Sequence, residues 1–160
     1  MTRWLTDDEQ AAWRALVAVM TRLTGALDRQ LQHDAGMPHA YYGVLVRLSE
    51  APGRALRMHE IARELDYSPS RLSHAVARME AAGWVERRPC REDRRSTWCV
   101  LTDEGFRVLE ESAPGHVEAV REHVIDALTP AQVRQLRAIC EAIMATMDAP
   151  AAPDECDEAS

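Results

Sequence analysis

Lysine is absent from this 160-residue chain, so each of its 19 fixed cations is an arginine. Arginine forks suit phosphate groups and guanine edges, although usage alone decides nothing. Glycine is scarce, at 7 residues, and leaves little material for a phosphate cradle. Neither a G-x-S-x-G elbow nor a catalytic triad can be assembled, so an enzyme is not expected. The longest apolar run, Ala15 to Met20, is far too short to span a bilayer. Met1-Thr2-Arg3-Trp4 turns acidic at Asp7 without the apolar stretch of a signal peptide. The expectation is a cytoplasmic protein with no membrane partner, whose four widely spaced cysteines are reduced. The six histidines form no H-x-x-x-H or H-E-x-x-H pattern. His116 and His123 lie two helical turns apart, too far to share an ordinary metal by themselves. Neither a metal nor a cofactor is expected.

The net charge of -7 argues at first against nucleic acid, but its distribution reverses the argument. From Arg54 to Arg95 there are ten arginines and seven acids, about +3. The remainder holds nine arginines and nineteen acids, about -10. Binding depends on the local patch and not on the sum.

Thr6-Asp7-Asp8-Glu9 is a capping box. It opens a helix to about His33, with Trp13, Leu16, Met20, Leu23, Leu27 and Leu31 on one stripe. Gly36-Met37-Pro38 breaks it, and a second helix is predicted over 39–50. Arg54 to Arg57 is short enough to be only an edge strand. A short helix follows from Met58 to Asp66, with Asp66-Tyr67 as the turn. Ser68-Pro69 pairs an N-cap serine with proline at the first helical position, and predicts a helix to about Ala82. Trp84 to Arg88 and Thr97 to Leu101 read as two strands around a charged loop. Centring that hairpin near Asp93 puts Cys99 opposite Glu86 or Arg87, which disfavours a disulfide to Cys90.

Thr102-Asp103-Glu104 caps a further helix, which Pro114-Gly115 is expected to kink or split. Thr129 to Gln132 is a second capping box and opens a last helix with Val133, Leu136, Cys140, Ile143 and Met147. Pro150 to Ser160 reads as a disordered acidic tail. The domain expectation is an N-terminal dimerisation helix over 1–36, a winged helix-turn-helix over 37–103, C-terminal dimerisation helices over 104–148 and the tail over 149–160. The two sets of flanking helices carry near-heptad stripes, more apolar surface than a small central module needs. Symmetric dimerisation accounts for them better than a monomeric bundle does.

A helix that fits the major groove, followed by a basic hairpin, is a DNA-reading device. The predicted exposed face of the 68–82 helix holds Ser68, Ser70, Arg71, Ser73, His74 and Arg78. An ordinary solvated face mixes in acids, yet none occurs from Ser68 to Met79. In the hairpin, Arg87, Arg88, Arg91, Arg94 and Arg95 surround Glu92 and Asp93. Five arginines in nine residues would repel one another without a polyanion, which favours phosphate or minor-groove contact.

The central segment resembles the multiple-antibiotic-resistance regulator (MarR) family of winged-helix transcription factors. The residues that carry the resemblance are Ile61-Ala62-Arg63-Glu64-Leu65, Ser68-Pro69-Ser70-Arg71-Leu72-Ser73 and Ala82-Gly83-Trp84-Val85-Glu86-Arg87. To these it adds the wing signature D-x-R, as Asp93-Arg94-Arg95, and L-T-x-x-G, as Leu101-Thr102 through Gly105. The resemblance implies a mainly α fold with a small β wing and a homodimer with interlocked terminal helices. It implies a pseudo-palindromic double-stranded operator, with Arg95 reaching a minor groove and Asp93 holding the wing's arginine in place. His74 departs from the family, many of whose members place arginine there. The family also implies a small, often aromatic, effector, for which Trp13, His39, Tyr41, Tyr42 and Arg47 are the candidate contacts. The same residues would serve equally to pack core and interface.

A repressor released by such an effector is the expectation. An activator, a metal sensor, a thiol sensor using Cys90 or a winged-helix protein-interaction module are the alternatives.

Overall fold

The computed structural model describes residues 2–90 and 96–147. The wing-tip residues Arg91, Asp93, Arg94 and Arg95, and the tail over 149–160, lie outside the described residues. Thr6 opens α1 (Asp7–Ala35) as its capping box requires. Its hydroxyl accepts from the Glu9 N–H at 3.3 Å, and the Glu9 carboxylate accepts from the Thr6 N–H at 2.8 Å. Gly36, at φ 63, ends the helix in the left-handed conformation that glycine adopts cheaply. There follow α2 (His39–Glu50), a short 3-10 turn (Pro52–Arg54), β1 (Ala55–Arg57), α3 (Met58–Glu64) and α4 (Pro69–Ala81). Then come β2 (Val85–Pro89), β3 (Thr97–Leu101) and α5 (Asp103–Val120). A five-residue π-helical stretch, Arg121–Ile125, precedes α6 (Pro130–Met147).

The described residues form two compact units, the first ending at Val120 and the second beginning at Arg121. In the first, Leu31, Met37, Val44, Leu45, Leu48, Ile61, Leu72, Val76 and Met79 are fully buried in one core. They come from α1, α2, α3, α4 and the turn after α1. Each side chain contributes roughly 1.5–3 kcal/mol by leaving water. The sheet runs β1-β3-β2, antiparallel throughout. The short 54–57 segment is therefore an edge strand, with Ala55 opposite Val100. Arg87 stands opposite Cys99. Cys99 carries a free thiol. Burial pushes the Cys99 thiol up to about 12.

Two boundaries differ from expectation. The helix begun at Met58 stops at Glu64, because Asp66 turns into the left-handed region at φ 51. Pro114 does not break α5, which runs on to Val120. α5 packs along α1 there, with Gly115 close to Asp34 and Gln30, and that packing offsets the one hydrogen bond that proline removes.

Apolar surface is left over in both units. Trp13, Val19 and Met20 in the N-terminal half of α1 are each about half exposed, at 54%, 55% and 49%. In α6 no residue is buried, and Leu136, Ile139, Met144 and Met147 face solvent. Among the described residues no helix is long and apolar enough to cross a membrane.

Candidate nucleic-acid interface

The face that α4 turns outward follows from the face it buries. Leu72, Ala75, Val76 and Met79 are in the core, which leaves Ser70, Arg71, Ser73, His74 and Arg78 exposed. Ser68 is the N-cap, and its hydroxyl accepts from the Arg71 N–H at 3.2 Å. Its lone pair thus serves the helix end, while its proton stays free to donate. The exposed face carries two arginines, a histidine and serines at the helix N-terminal half, with no acid among them. The wing positions Arg91, Asp93, Arg94 and Arg95 are outside the described residues, so the structure gathers the α4 set alone.

The first acid on α4 is Glu80, and it faces the hairpin. Its Oε1 accepts from the Arg87 N–H at 3.0 Å, and its Oε2 accepts from Arg87 Nε at 2.9 Å and Nη2 at 2.6 Å. The Arg87 guanidinium holds the Glu80 carboxyl below the usual carboxylate range. Arg88 likewise pairs with Glu86. Among the described hairpin residues, Arg87 and Arg88 are therefore neutralised by neighbouring carboxylates, a role that sequence reasoning missed. The Glu80–Arg87 pair crosses a turn, and no periodic signal reports it.

The strand-to-helix corner explains the L-T-x-x-G pattern. The Thr102 N–H donates to the Trp84 carbonyl at 3.1 Å. The Thr102 hydroxyl lies 2.7 Å from the Gly83 carbonyl and 3.0 Å from that of Trp84, and accepts from the Gly105 N–H at 2.9 Å. Gly105 sits so close to the Trp84 carbonyl that a Cβ there would lie 2.0 Å from its oxygen. On the opposite flank, the Arg54 guanidinium stacks 3.7 Å over Phe106 and reaches Asp103 at 3.3 Å. These contacts fix the C-terminal end of α4, the sheet and the start of α5 as one corner.

The candidate effector residues are only partly brought together. Tyr42 lies 4.3 Å from the His116 ring and His39 5.5 Å from it, centroid to centroid. The Gln30 side-chain oxygen contacts His116 Nδ1 at 3.3 Å, and the His39 N–H donates to Asp28 at 2.9 Å. Tyr41 packs against the core. Trp13 is half exposed on α1, and Arg47 pairs with Glu50 and Glu64, each at 3.9 Å. Neither shares a hydrogen bond or ring contact with the His116 cluster. His116 itself was missed, because 77 residues separate it from His39. Among the described residues no group of three or more His, Cys, Asp or Glu is placed to hold a metal. A separate pocket of about 450 Å³ lies beside α4, lined by Met58, Ala62, Tyr67, Leu72, Ser96 and Thr97 among others.

Burial, and then the neighbouring His39, hold His116 below its ordinary value of 6.5. The unfolded chain therefore takes up this proton at a higher pH than the folded chain does. Stability should fall as pH drops below about 6.5, before the carboxylates begin to titrate. Thermal melts at pH 7.5 and 5.5 should show this loss, and His116→Gln should reduce it. An identical loss in both proteins would assign it to another group.

Comparison with known proteins places these features in context. The MarR family profile matches residues 35–96. The chain is 51% identical to Sco3205, a MarR family transcriptional regulator from Streptomyces coelicolor solved in complex with DNA. That match covers 95% of this chain and 96% of the other, with a TM-score of 0.90. AbsC, another MarR family regulator from Streptomyces coelicolor, is 42% identical over 91% of this chain and 98% of its own, with a TM-score of 0.85. The HTH-type transcriptional regulator PecS of Dickeya dadantii is 34% identical over 85 residues, which are 53% of this chain and 51% of that protein. The chain thus spans about half the length of these curated relatives, 51% of PecS and 45% of the HTH-type transcriptional regulator PrsX of Escherichia coli. These relatives are regulators and not enzymes.

Proposed function

Because the chain belongs to the MarR family of winged-helix transcriptional regulators, we propose that it is a homodimeric repressor that reads a pseudo-palindromic DNA duplex. The exposed face of α4 carries this reading. It presents Ser70, Arg71, Ser73, His74 and Arg78 on a rigid, capped helix, without an acid to repel phosphate. Two such helices in successive major grooves read two half-sites, while Arg91, Arg94 and Arg95 of each wing reach the flanking backbone or minor groove. The apolar surface of α1 and α6 supports pairing of two copies. Occupancy of a promoter by the dimer would block transcription. A small aromatic effector, seated near His39, Tyr42 and His116, would alter the spacing of the two winged modules and release the duplex.

The test is fluorescence anisotropy with duplexes taken from upstream of the protein's own gene. Arg71→Ala and Arg95→Ala should each weaken binding roughly ten-fold or more, and Arg95→Ala should also flatten its dependence on salt. If both leave affinity for genomic DNA untouched, the reading is wrong.

A further inference from the structure

The turn between α3 and α4 is built to a definite shape. The Leu65 N–H donates to the Ile61 carbonyl at 3.0 Å, the Asp66 N–H to Arg63 at 3.4 Å and the Tyr67 N–H to Ala62 at 2.8 Å. Asp66 takes the left-handed conformation, φ 51, that closes a Schellman-type helix end. These bonds fix the backbone of Tyr67. Four residues on, the backbone of Arg71 is fixed by its bond to the Ser68 hydroxyl. With both backbones held, the Arg71 guanidinium carbon lies 4.1 Å above the centre of the Tyr67 ring.

The choice of partner matters. Arg47, Arg87, Arg88, Arg107 and Arg121 are each paired with carboxylates. Among the described residues no carboxylate pairs with Arg71. A carboxylate would occupy the N–H edge of the guanidinium and cancel its charge. A ring occupies only the flat face, so the in-plane donors and the charge both stay available. The side chain is thereby held without being used up.

We propose that Tyr67 is a positioning residue for base recognition: its ring pre-orients the Arg71 fork toward one base pair of each half-site. The role rests on the DNA-reading function proposed above. Tyr67 need not touch DNA. Its contribution is to reduce the side-chain freedom that Arg71 would otherwise lose on binding. A stack at an exposed site is worth about three-fold in affinity per half-site, or about ten-fold for a dimer on two half-sites.

The experiment is in vitro selection from a random duplex library with the wild type, Tyr67→Leu, Tyr67→Phe and Arg71→Ala. The base pair whose preference disappears in Arg71→Ala is the one that Arg71 reads. Tyr67→Leu should weaken discrimination at that base pair and leave the others intact. Tyr67→Phe keeps the ring and should retain it. Tyr67→Leu combined with Arg71→Ala should be no worse than Arg71→Ala alone. A merely structural role would lower affinity for all sequences together and leave the pattern of preference unchanged. Equal losses in Tyr67→Leu and Tyr67→Phe, or full discrimination in Tyr67→Leu, overturn the positioning role while leaving the DNA-binding function standing. A wild type with no sequence preference overturns both.

Discussion

Gly105→Ala is expected to destabilise the protein by about 3 kcal/mol, the upper end of what an overpacked site costs. For a chain of this length that is roughly a 10 °C fall in melting temperature. Helix propensity alone gives the opposite sign, since alanine inside a helix is favoured over glycine by about 1 kcal/mol. Steric conflict wins because the added carbon would sit 2.0 Å from the Trp84 carbonyl oxygen and 2.9 Å from Leu101 Cδ1. That oxygen cannot simply swing aside. It accepts from the Thr102 N–H at 3.1 Å and lies 3.0 Å from the Thr102 hydroxyl. Relief therefore means opening the corner or moving the start of α5. Chemical denaturation would measure the change, and a variant as stable as the wild type would show that the corner yields more easily than its contacts imply.

Met20→Asp combined with Ile139→Asp should convert the protein to a monomer and cut operator affinity roughly a hundred-fold or more. Both side chains are exposed, at 49% and 57%, so neither change opens a cavity in the core. Within a pair of copies each aspartate would instead be forced into an apolar contact, where a carboxylate without a partner is costly. A single winged module then reads one half-site and loses the advantage of simultaneous engagement. Light scattering and anisotropy together test this. An unchanged mass with unchanged affinity would place the interface elsewhere. A monomeric wild type that binds its operator tightly would remove the need for one.

Much of the fold is written locally in the chain. Thr6 with Glu9, Ser68 with Pro69, and Thr129 with Gln132 each announce a helix within four residues, and each cap forms. The hairpin register was equally legible: centring on Asp93 places Cys99 against Glu86 or Arg87, and Arg87 is its partner. The continuity of α5 through Pro114 was not legible, because it depends on packing against α1 some eighty residues earlier. The same separation hid the approach of His39 to His116 and of Arg54 to Phe106. For the interface, the outward residues of α4 could be listed from helical spacing alone. Which arginines remain uncommitted could not, since Glu80 and Glu86 make their choices in three dimensions.

That sorting of charge has a kinetic consequence. Glu80 and Glu86 neutralise Arg87 and Arg88, so the root of the hairpin adds little net positive field. A cation already paired with a carboxylate does little to draw a polyanion, whereas the Arg71 guanidinium, stacked on a ring, keeps its charge. On the proposed reading, a duplex arriving by diffusion is then steered toward the α4 face in preference to the hairpin root. Among the described residues, the helix proposed to read the bases would then also orient the encounter.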